Sequence, residues 1–316
     1  MNFPSTRTLR PLAAALLLCT LAACGGGGGG RDAVLGFDGT AAPAAPVAPV
    51  TPVVVTPGVT PPAPSTPAPN AIALGTAALF GAFGGTAGIT NQGVNTVINN
   101  GAIGTTAAST LVTGFHDAGA GCTYTETPLN VGNVTGGIFT AAPPPTVGCP
   151  TEGTATTAAT AAKGLADAQA AYNALAAKPA GAFAGAGNLA NLTLTPGTYT
   201  SATTYQITGG NLTLDGQGDP NSVWIFQMGS ALTVGAPANP ASIILTNGAQ
   251  SKNVFWQVGS AATINGAGGG TMVGTIISQS GVTVSTAGNA QLVTLNGRAL
   301  SLVGVVTMVN TVVNVP

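Results

Sequence analysis

Few side chains of this protein are equipped to act as an acid, a base or a nucleophile. Charged residues make up only 5% of its 316 residues, whereas an ordinary globular domain has roughly 25%. Two carboxylates, Asp215 and Asp219, flank the segment Gly216-Gln217-Gly218, and such a pair could hydrolyse a glycosidic bond. Aspartate is also favoured in glycine-rich turns, because its side chain hydrogen-bonds to the nearby backbone. We favour the turn as the explanation.

The remaining ionisable groups form no catalytic set. His116 is the only histidine in the sequence, which leaves no Ser–His–Asp triad. The glycine-rich residues 266–270 lack the lysine of a phosphate-binding loop. The other carboxylates beyond residue 70 lie in the region of a predicted insertion and a predicted helix: Asp117, Glu126, Glu152 and Asp167. We therefore predict a protein that is not an enzyme and that uses no cofactor, no metal and no small-molecule substrate.

Two of the four cysteines, Cys122 and Cys149, form an even pair in a chain that we predict to be exported. Such pairs become disulfides in oxidising compartments. In the chain-entropy model, closing a loop of this length stabilises the fold by about 3 kcal/mol. The alternative is a metal site formed by the two thiols, with His116 as the only histidine nearby. We predict the disulfide.

The other two cysteines, Cys19 and Cys24, belong to a predicted export signal. Two arginines precede an apolar run that is too short to span a membrane, so residues 1–23 are expected to be a signal peptide. The run ends in Leu21-Ala22-Ala23-Cys24, which resembles a bacterial lipobox. The alternative is an ordinary signal peptide cut after small residues. We predict a lipidated Cys24 that anchors the protein at the cell surface, in the outer membrane if the cell has one, or else release outside the cell.

Residues 24–70 are predicted to be a disordered tether. They begin with a glycine run, and ten prolines lie between positions 41 and 70 without any charge. Sequence of this kind is extended and forms no core. We expect the tether to hold a single folded domain away from a membrane.

The net charge of the whole chain is −1, so the composition gives no reason to expect nucleic-acid binding.

A four-residue pattern recurs through the second half of the chain. It consists of a small residue, then Ala, Gly or Asn, then an apolar residue, then Thr, and the threonines are 20, 30 and 20 residues apart. Repeats at such periods are typical of solenoids, whose units bury their apolar side only by stacking. The copies are Gly210-Asn211-Leu212-Thr213, Ser230-Ala231-Leu232-Thr233, Ser260-Ala261-Ala262-Thr263 and Ser280-Gly281-Val282-Thr283.

The alternation of a β-strand assigns a side to each residue of the pattern. The third residue is predicted to point inward, the second and fourth outward, and the first to lie at a corner. The predicted face is flat and uncharged, and it consists of Asn211, Thr213, Ser230, Ala231, Thr233, Ser260, Ala261, Thr263, Ser280, Gly281 and Thr283. A final copy, Val303-Gly304-Val305-Val306, lacks the hydroxyls and is not counted in the face.

Other segments predict the elements around this face. The segment Ala71–Phe80 is expected to form a strand that enters a turn. Residues 115–150 interrupt the repeat and are predicted to be an insertion that caps one end of the solenoid. Residues 154–178 are rich in alanine and end before Pro179, which predicts a helix. Its apolar stripe consists of Leu165, Tyr172 and Leu175.

These stretches together resemble a family of bacterial and fungal ice-binding proteins over the predicted domain 71–316. The matching stretches are Leu74-Gly75-Thr76-Ala77, Ala171-Tyr172-Asn173, Leu192-Thr193-Leu194-Thr195-Pro196-Gly197-Thr198-Tyr199, Val223-Trp224-Ile225-Phe226-Gln227, Asn253-Val254-Phe255-Trp256-Gln257-Val258 and Asn296-Gly297-Arg298. The resemblance implies a mainly β fold: a right-handed, three-sided β-solenoid with one long α-helix packed along its side. It also implies a small capping insertion, often closed by a disulfide.

The resemblance further implies that the protein binds the surface of ice crystals through the flat Thr/Ser/Ala-rich face. We expect it to act as a monomer that inhibits ice growth or recrystallisation, or that attaches the cell to ice. The alternative is a non-enzymatic adhesive or structural solenoid that binds polysaccharide or another cell surface. Carbohydrate sites usually offer exposed aromatic rings and carboxylates, and the predicted face offers neither.

Overall fold

The computed structural model describes residues 72–236 and 238–316, so the predicted signal peptide, Cys24 and the tether lie outside the described residues. The described chain consists of short β-strands and one long helix, α1 (Ala155–Ala176). The strands before the helix are β1 Phe80–Gly84, β2 Ile89–Asn91, β3 Thr96–Asn99, β4 Ala102–Ala108, β5 Val112–Thr113, β6 Phe115–His116, β7 Thr123–Tyr124, β8 Gly132–Val134 and β9 Ile138–Ala141. Those after it are β10 Thr193–Leu194, β11 Gly197–Ser201, β12 Tyr205–Ile207, β13 Leu212–Asp215, β14 Trp224–Met228, β15 Leu232–Val234, β16 Ile243–Thr246, β17 Val254–Val258, β18 Ala261–Ile264, β19 Thr271–Ser278, β20 Gly281–Val284, β21 Val293–Ser301, β22 Val306–Met308 and β23 Thr311–Asn314.

The strands wind into a β-solenoid with three sheets, which confirms the predicted fold class. Sheet 1 contains β11, β14 and β17 and continues through the long strands β19 and β21. Sheet 2 has the strand order β12-β15-β18-β20-β22-β2-β5, and sheet 3 has the order β10-β13-β16. The strands within sheets 2 and 3 pair in parallel, as stacked coils of a solenoid must.

Strand β21 turns a corner of the solenoid. Its first half pairs with β23, while its last three residues pair with β1, so sheet 1 divides at this strand. The neighbouring strand β19 bends at Gly274, whose φ is +98°. A Cβ atom there would lie only 2.5 Å from the carbonyl oxygen of Val254. The bend therefore requires glycine at this position.

The N-terminal strands stack on the C-terminal coil. In sheet 2, β22 near the end of the chain pairs with β2, and β2 then pairs with β5. In sheet 1, β23 pairs with β3 in the same way. The two ends of the described chain thus share one continuous solenoid, an arrangement that the sequence analysis did not predict.

A stack of aromatic rings fills part of the interior. Phe226 of β14 and Trp256 of β17 lie parallel, with ring centroids 4.0 Å apart, and Tyr199 of β11 stacks on the other side of Phe226 at 5.4 Å. The indole nitrogen of Trp256 donates to the carbonyl oxygen of Val273 at 2.9 Å. The polar tip of this buried ring is therefore satisfied, and the ring contributes its full apolar area to the core.

Helix α1 covers the outer side of sheet 1. Tyr172 and Leu175 are buried and Leu165 is partly buried against the sheet, which confirms the predicted stripe. The helix begins with a capping box, in which Thr154 accepts a hydrogen bond from the backbone nitrogen of Thr157. At the other end, Gln227 of β14 donates to the carbonyl oxygens of Leu175 and Lys178. No helix within the described residues is both long and apolar enough to span a membrane.

The segment predicted as an entering strand is a 3-10 helix, Gly75–Leu79, and that prediction was wrong. Gly75 has a φ of +51°, a conformation outside the range of a strand. The backbone nitrogen of Thr76 donates to Asp167 of α1 at 2.7 Å, and Lys163 also holds this carboxylate. Contact with the helix, which is distant in sequence, therefore decides the local conformation.

The predicted capping insertion contains both cap and solenoid. Within it, β8 pairs in parallel with β3, and β9 pairs in parallel with β4, so strands β8 and β9 extend the two branches of sheet 1. The segments on either side are joined by a disulfide between Cys122 and Cys149. Because both thiols are used in this bond, they do not form the alternative metal site.

Candidate functional site

Sheet 2 carries a continuous row of threonines on its outer side. Parallel pairing aligns one threonine on each strand from β15 to β5. We call these six residues the Thr row, and in spatial order they are Thr233, Thr263, Thr283, Thr307, Thr90 and Thr113. Gln206 occupies the same position on β12. Neighbouring threonines therefore repeat at the strand spacing of about 4.8 Å.

The residues beside the Thr row anchor it to the core. Leu232, Ala262 and Val282 each precede a threonine of the row and are buried. Leu212 is buried as well, which confirms that the third residue points inward in the four copies that end in threonine. Thr233 and Thr263 are exposed, and the other members of the row are half-buried. The row thus lies on a sheet whose opposite side is fixed by packing.

A second row of residues runs beside the Thr row, two residues earlier along the chain, within β18 and β20 and just before the other strands. Backbone hydrogen bonds, such as that from Val282 to the carbonyl of Val305, keep the strands in register at this level. In spatial order the row consists of Thr204, Ala231, Ala261, Gly281, Val305, Gly88 and Leu111. Alanine or glycine occupies this row beside β15, β18 and β20, whereas Val305 and Leu111 are exposed and bulky.

The three serines of the repeat lie where the chain enters sheet 2. The backbone nitrogen of Ser260 donates to the carbonyl of Ser230 at 3.1 Å, and that of Ser280 donates to Ser260 at 3.0 Å. The serines therefore stack on one another at the edge of the face, as predicted from their place in the repeat.

Asn211 and Thr213 do not lie on this face, and their inclusion in it was wrong. Thr213 belongs to β13 of sheet 3 and pairs with Thr193 and Ile244. The side chain of Asn211 accepts a hydrogen bond from the backbone nitrogen of Ser242, next to the same sheet. The pattern occurs at two different corners, and the 20 residues from Thr213 to Thr233 cover less than one full coil. The residue one coil before Thr233 is Gln206.

The last coil does carry its threonine, and the alignment of Val306 with the row was wrong by one residue. Val306 pairs with the inward Val282 and is fully buried, whereas Thr307 pairs with Thr283. Thr90 and Thr113 were not predicted from the sequence. Gly88-Ile89-Thr90 repeats the end of the motif, so this copy was detectable, but its position beside β22 was not.

The face carries no ionisable side chain in the two rows that define it. A hollow of about 450 Å³ adjoins Thr233 and Thr263 and is lined by small, uncharged residues such as Ala236, Ala267 and Asn289. The side chain of Asn289 donates to the carbonyl of Gly266 at 2.6 Å, which fixes this wall. Acid–base chemistry therefore has no side chain to use here.

The two aspartates considered as a glycosidase pair occupy a turn. Asp215 accepts hydrogen bonds from the backbone nitrogen of Gln217 at 2.9 Å and from the side chain of Asn247 at 2.8 Å. These bonds, the first above all, lower the pKa of Asp215. Asp219 accepts from the backbone nitrogen of Asn221 at 2.8 Å. Both carboxylates thus serve the turn, as the sequence indicated.

The ionisable groups of the cap form contacts with one another. His116 Nδ1 lies 2.6 Å from a carboxylate oxygen of Glu126. Tyr124 donates its hydroxyl hydrogen to Glu152. Burial, followed by a hydrogen bond with Asp117, raises the pKa of Glu152 to about 8. Burial also raises the pKa of Tyr124 above its ordinary value. These groups lie outside the two rows of sheet 2.

The raised pKa of Glu152 predicts that the protein loses stability as pH rises. Its pKa in the folded state is about 8, above the ordinary value of 4.5, so folding favours the protonated form. The stabilisation is complete below about pH 4.5 and is lost as pH increases through about 8. Thermal melting across this range should show a falling melting temperature for the wild type. Glu152→Gln should flatten the curve, whereas Glu126→Gln should leave it steep. An equally steep curve in Glu152→Gln would contradict the assignment.

Comparisons of sequence and of structure with known proteins point to the same family, and they cover most of the solenoid. The family model described as "Ice-binding-like" matches residues 83–314. An ice-binding protein from Nostoc sp. (strain HG1) is 37% identical over 236 residues, which are 74% of this chain and 71% of that protein. A domain of Shewanella frigidimarina ice-binding protein 1 superposes with a TM-score of 0.63 at 30% identity, covering 78% of this chain and 98% of the domain. An ice-binding protein from an Arctic yeast gives 0.61 at 29% identity, covering 78% and 94%. A match across most of the sequence and the fold places the chain in this family. The protein belongs to the ice-binding-like family.

Proposed function

We propose that this protein binds ice through the outer side of sheet 2. The observation that supports the proposal most strongly is the Thr row, which repeats one hydroxyl and one methyl group per strand across β15 to β5. Relatives that are named as ice-binding proteins share the sequence and the fold. Together, the regular row and the relatives favour ice over any other partner.

The chemistry of the face suits an ordered layer of water. Threonine hydroxyls hydrogen-bond to water, while the methyl groups and the absence of charge leave neighbouring water molecules free to adopt an ice-like arrangement. Each contact is weak, but a rigid surface engages many of them at once and their effects combine. A rigid face also loses little conformational freedom on binding, which preserves most of this interaction.

The other sheets are less suitable for a planar crystal. Helix α1 packs on the outer side of sheet 1, where it covers Ile225, Phe255 and Ile277. Sheet 3 has only three strands. Its outer side presents the exposed side chain of Ile244 and the carboxylate of Asp215 near its end. We therefore assign the function to sheet 2.

Ice growth and glycan binding should be measured on the same purified material, residues 71–316. We expect thermal hysteresis and inhibition of recrystallisation under the microscope, together with no retention on insoluble polysaccharides. Retention on polysaccharide without any effect on ice would instead support an adhesive solenoid. We also propose that the protein acts as a monomer and without catalysis, since binding to a crystal requires neither a second copy nor a reaction.

We propose that Cys24 attaches the protein to a membrane through lipid and that residues 25–70 serve as its tether. The lipobox-like segment before Cys24 and the proline-rich sequence after it support this assignment. Cys24→Ser should move the protein from the membrane fraction to the soluble fraction or the medium. Cys19→Ser is the matched control and should leave the distribution unchanged. Membrane retention of Cys24→Ser equal to that of the wild type would contradict the anchor.

A further inference from the structure

The Thr row crosses two halves of sheet 2, one formed by β15, β18 and β20 and the other by β22, β2 and β5. The outward side chains beside the row project to different heights in the two halves. In the second row, the first half presents Ala231, Ala261 and Gly281, which rise no higher than a methyl group. The second half presents Val305 and Leu111, whose side chains are 38% and 48% exposed. The regular backbone is therefore covered by small side chains on one half and by larger ones on the other.

The surface of the second half is uneven because a glycine separates the two large side chains. Gly88 lies between Val305 and Leu111 in the second row. A Cβ atom at Gly88 would lie 2.1 Å from the carbonyl oxygen of Leu111, so no side chain can occupy the gap. Valine extends one carbon–carbon bond, about 1.5 Å, beyond alanine, and leucine extends further. A planar crystal that touches these two side chains is held away from the threonines beside them.

We infer that Val305 and Leu111 confine the contact with ice to the half of sheet 2 formed by β15, β18 and β20. This inference rests on the proposed function and concerns the extent of the same face. Thr233, Thr263 and Thr283 lie in the flat half and contact ice directly. Thr307, Thr90 and Thr113 have the same spacing, but the two large side chains keep them from full contact.

The inference predicts a gain of activity on removal of side-chain atoms. In Val305→Ala/Leu111→Ala, the flat area grows from three threonines of the row to all six. Thermal hysteresis at a fixed concentration should rise about twofold, because simultaneous contacts on a rigid surface add. The single variant Val305→Ala should give a smaller rise, and it provides the test if the double variant fails to fold.

Two further variants separate this effect from a general change in the surface. Val303→Ala/Leu292→Ala removes the same atoms from exposed side chains outside the two rows, at 57% and 48% exposure, and should leave hysteresis unchanged. Ala261→Val introduces a similar projection into the flat half and should reduce hysteresis. Melting curves of all variants should show that each is folded before the activities are compared.

The outcomes distinguish this inference from the proposed function, provided that Thr263→Tyr is measured alongside. If the wild type has no effect on ice, or if Thr263→Tyr keeps full activity, the proposed face and this inference are both overturned. If Thr263→Tyr is inactive while Val305→Ala and the double variant are no more active than the wild type, only the inference is overturned. A rise in both, with no change in Val303→Ala/Leu292→Ala, supports it.

Discussion

Thr263→Tyr should lower thermal hysteresis by about tenfold or more, because binding by many weak contacts depends on their simultaneous engagement. Thr263 is exposed near the middle of the flat half of sheet 2, between Thr233 and Thr283. A tyrosine ring at this position stands above the neighbouring side chains. It would hold a planar crystal away from the whole row rather than from a single residue.

The same substitution should leave the fold intact. Exposed substitutions usually change stability by no more than about 0.5 kcal/mol, and tyrosine is favoured in β-strands. The melting curve of Thr263→Tyr should therefore overlay that of the wild type. Thr213→Tyr is a matched control, because Thr213 occupies the same place in the sequence pattern but lies on sheet 3. Loss of activity in Thr213→Tyr without loss in Thr263→Tyr would move the binding face to sheet 3.

Phe226→Ala should cause a large loss of stability in the solenoid. The ring is fully buried and is stacked between Tyr199 and Trp256. Removing a buried phenylalanine ring typically costs about 3–5 kcal/mol, because transfer free energy is lost and a cavity remains. For a domain of this size, each kcal/mol lowers the melting temperature by about 2–4 °C. A decrease of roughly 6–20 °C is expected from the product of these figures.

Phe183→Ala provides the matched control for this prediction. Phe183 is 57% exposed, and its ring lies 6.0 Å from that of Tyr205 at the edge of the core. The same atoms are removed in both variants, but only Phe226 leaves a closed cavity. Differential scanning calorimetry should show a small shift for Phe183→Ala and a large one for Phe226→Ala. Equal shifts would mean that the aromatic stack does not carry the stability assigned to it.

Local sequence predicted the elements whose signals are local. Alanine-rich sequence that stops before Pro179 predicted α1 almost to its ends. Strict alternation predicted that Leu232, Ala262 and Val282 point inward, since one face of each strand is buried. The copies at Thr233, Thr263 and Thr283 were placed correctly relative to one another because consecutive coils of the solenoid bring them into register.

Contacts that are distant in sequence decided the parts that were not predicted. Strand β2, near the start of the described chain, lies beside β22, near its end. The spacing of the repeats in the sequence contains no information about this pairing. The Thr row is consequently twice as long as the three members found by sequence. Thr213 was misplaced for a related reason, since a motif at one corner of a solenoid resembles the same motif at another corner. The conformation at Gly75 is set by the hydrogen bond from the backbone nitrogen of Thr76 to Asp167 rather than by any local preference for a strand.

The most direct test of the central claim is the incorporation of fluorescently labelled protein into a slowly growing ice hemisphere. Wild-type protein should be incorporated into the ice, whereas Thr263→Tyr should be excluded and remain in the liquid. The two proteins should have the same melting temperature, so that exclusion reports binding rather than folding. Equal incorporation of wild type and Thr263→Tyr, or exclusion of both, would contradict the assignment of ice binding to the Thr row of sheet 2.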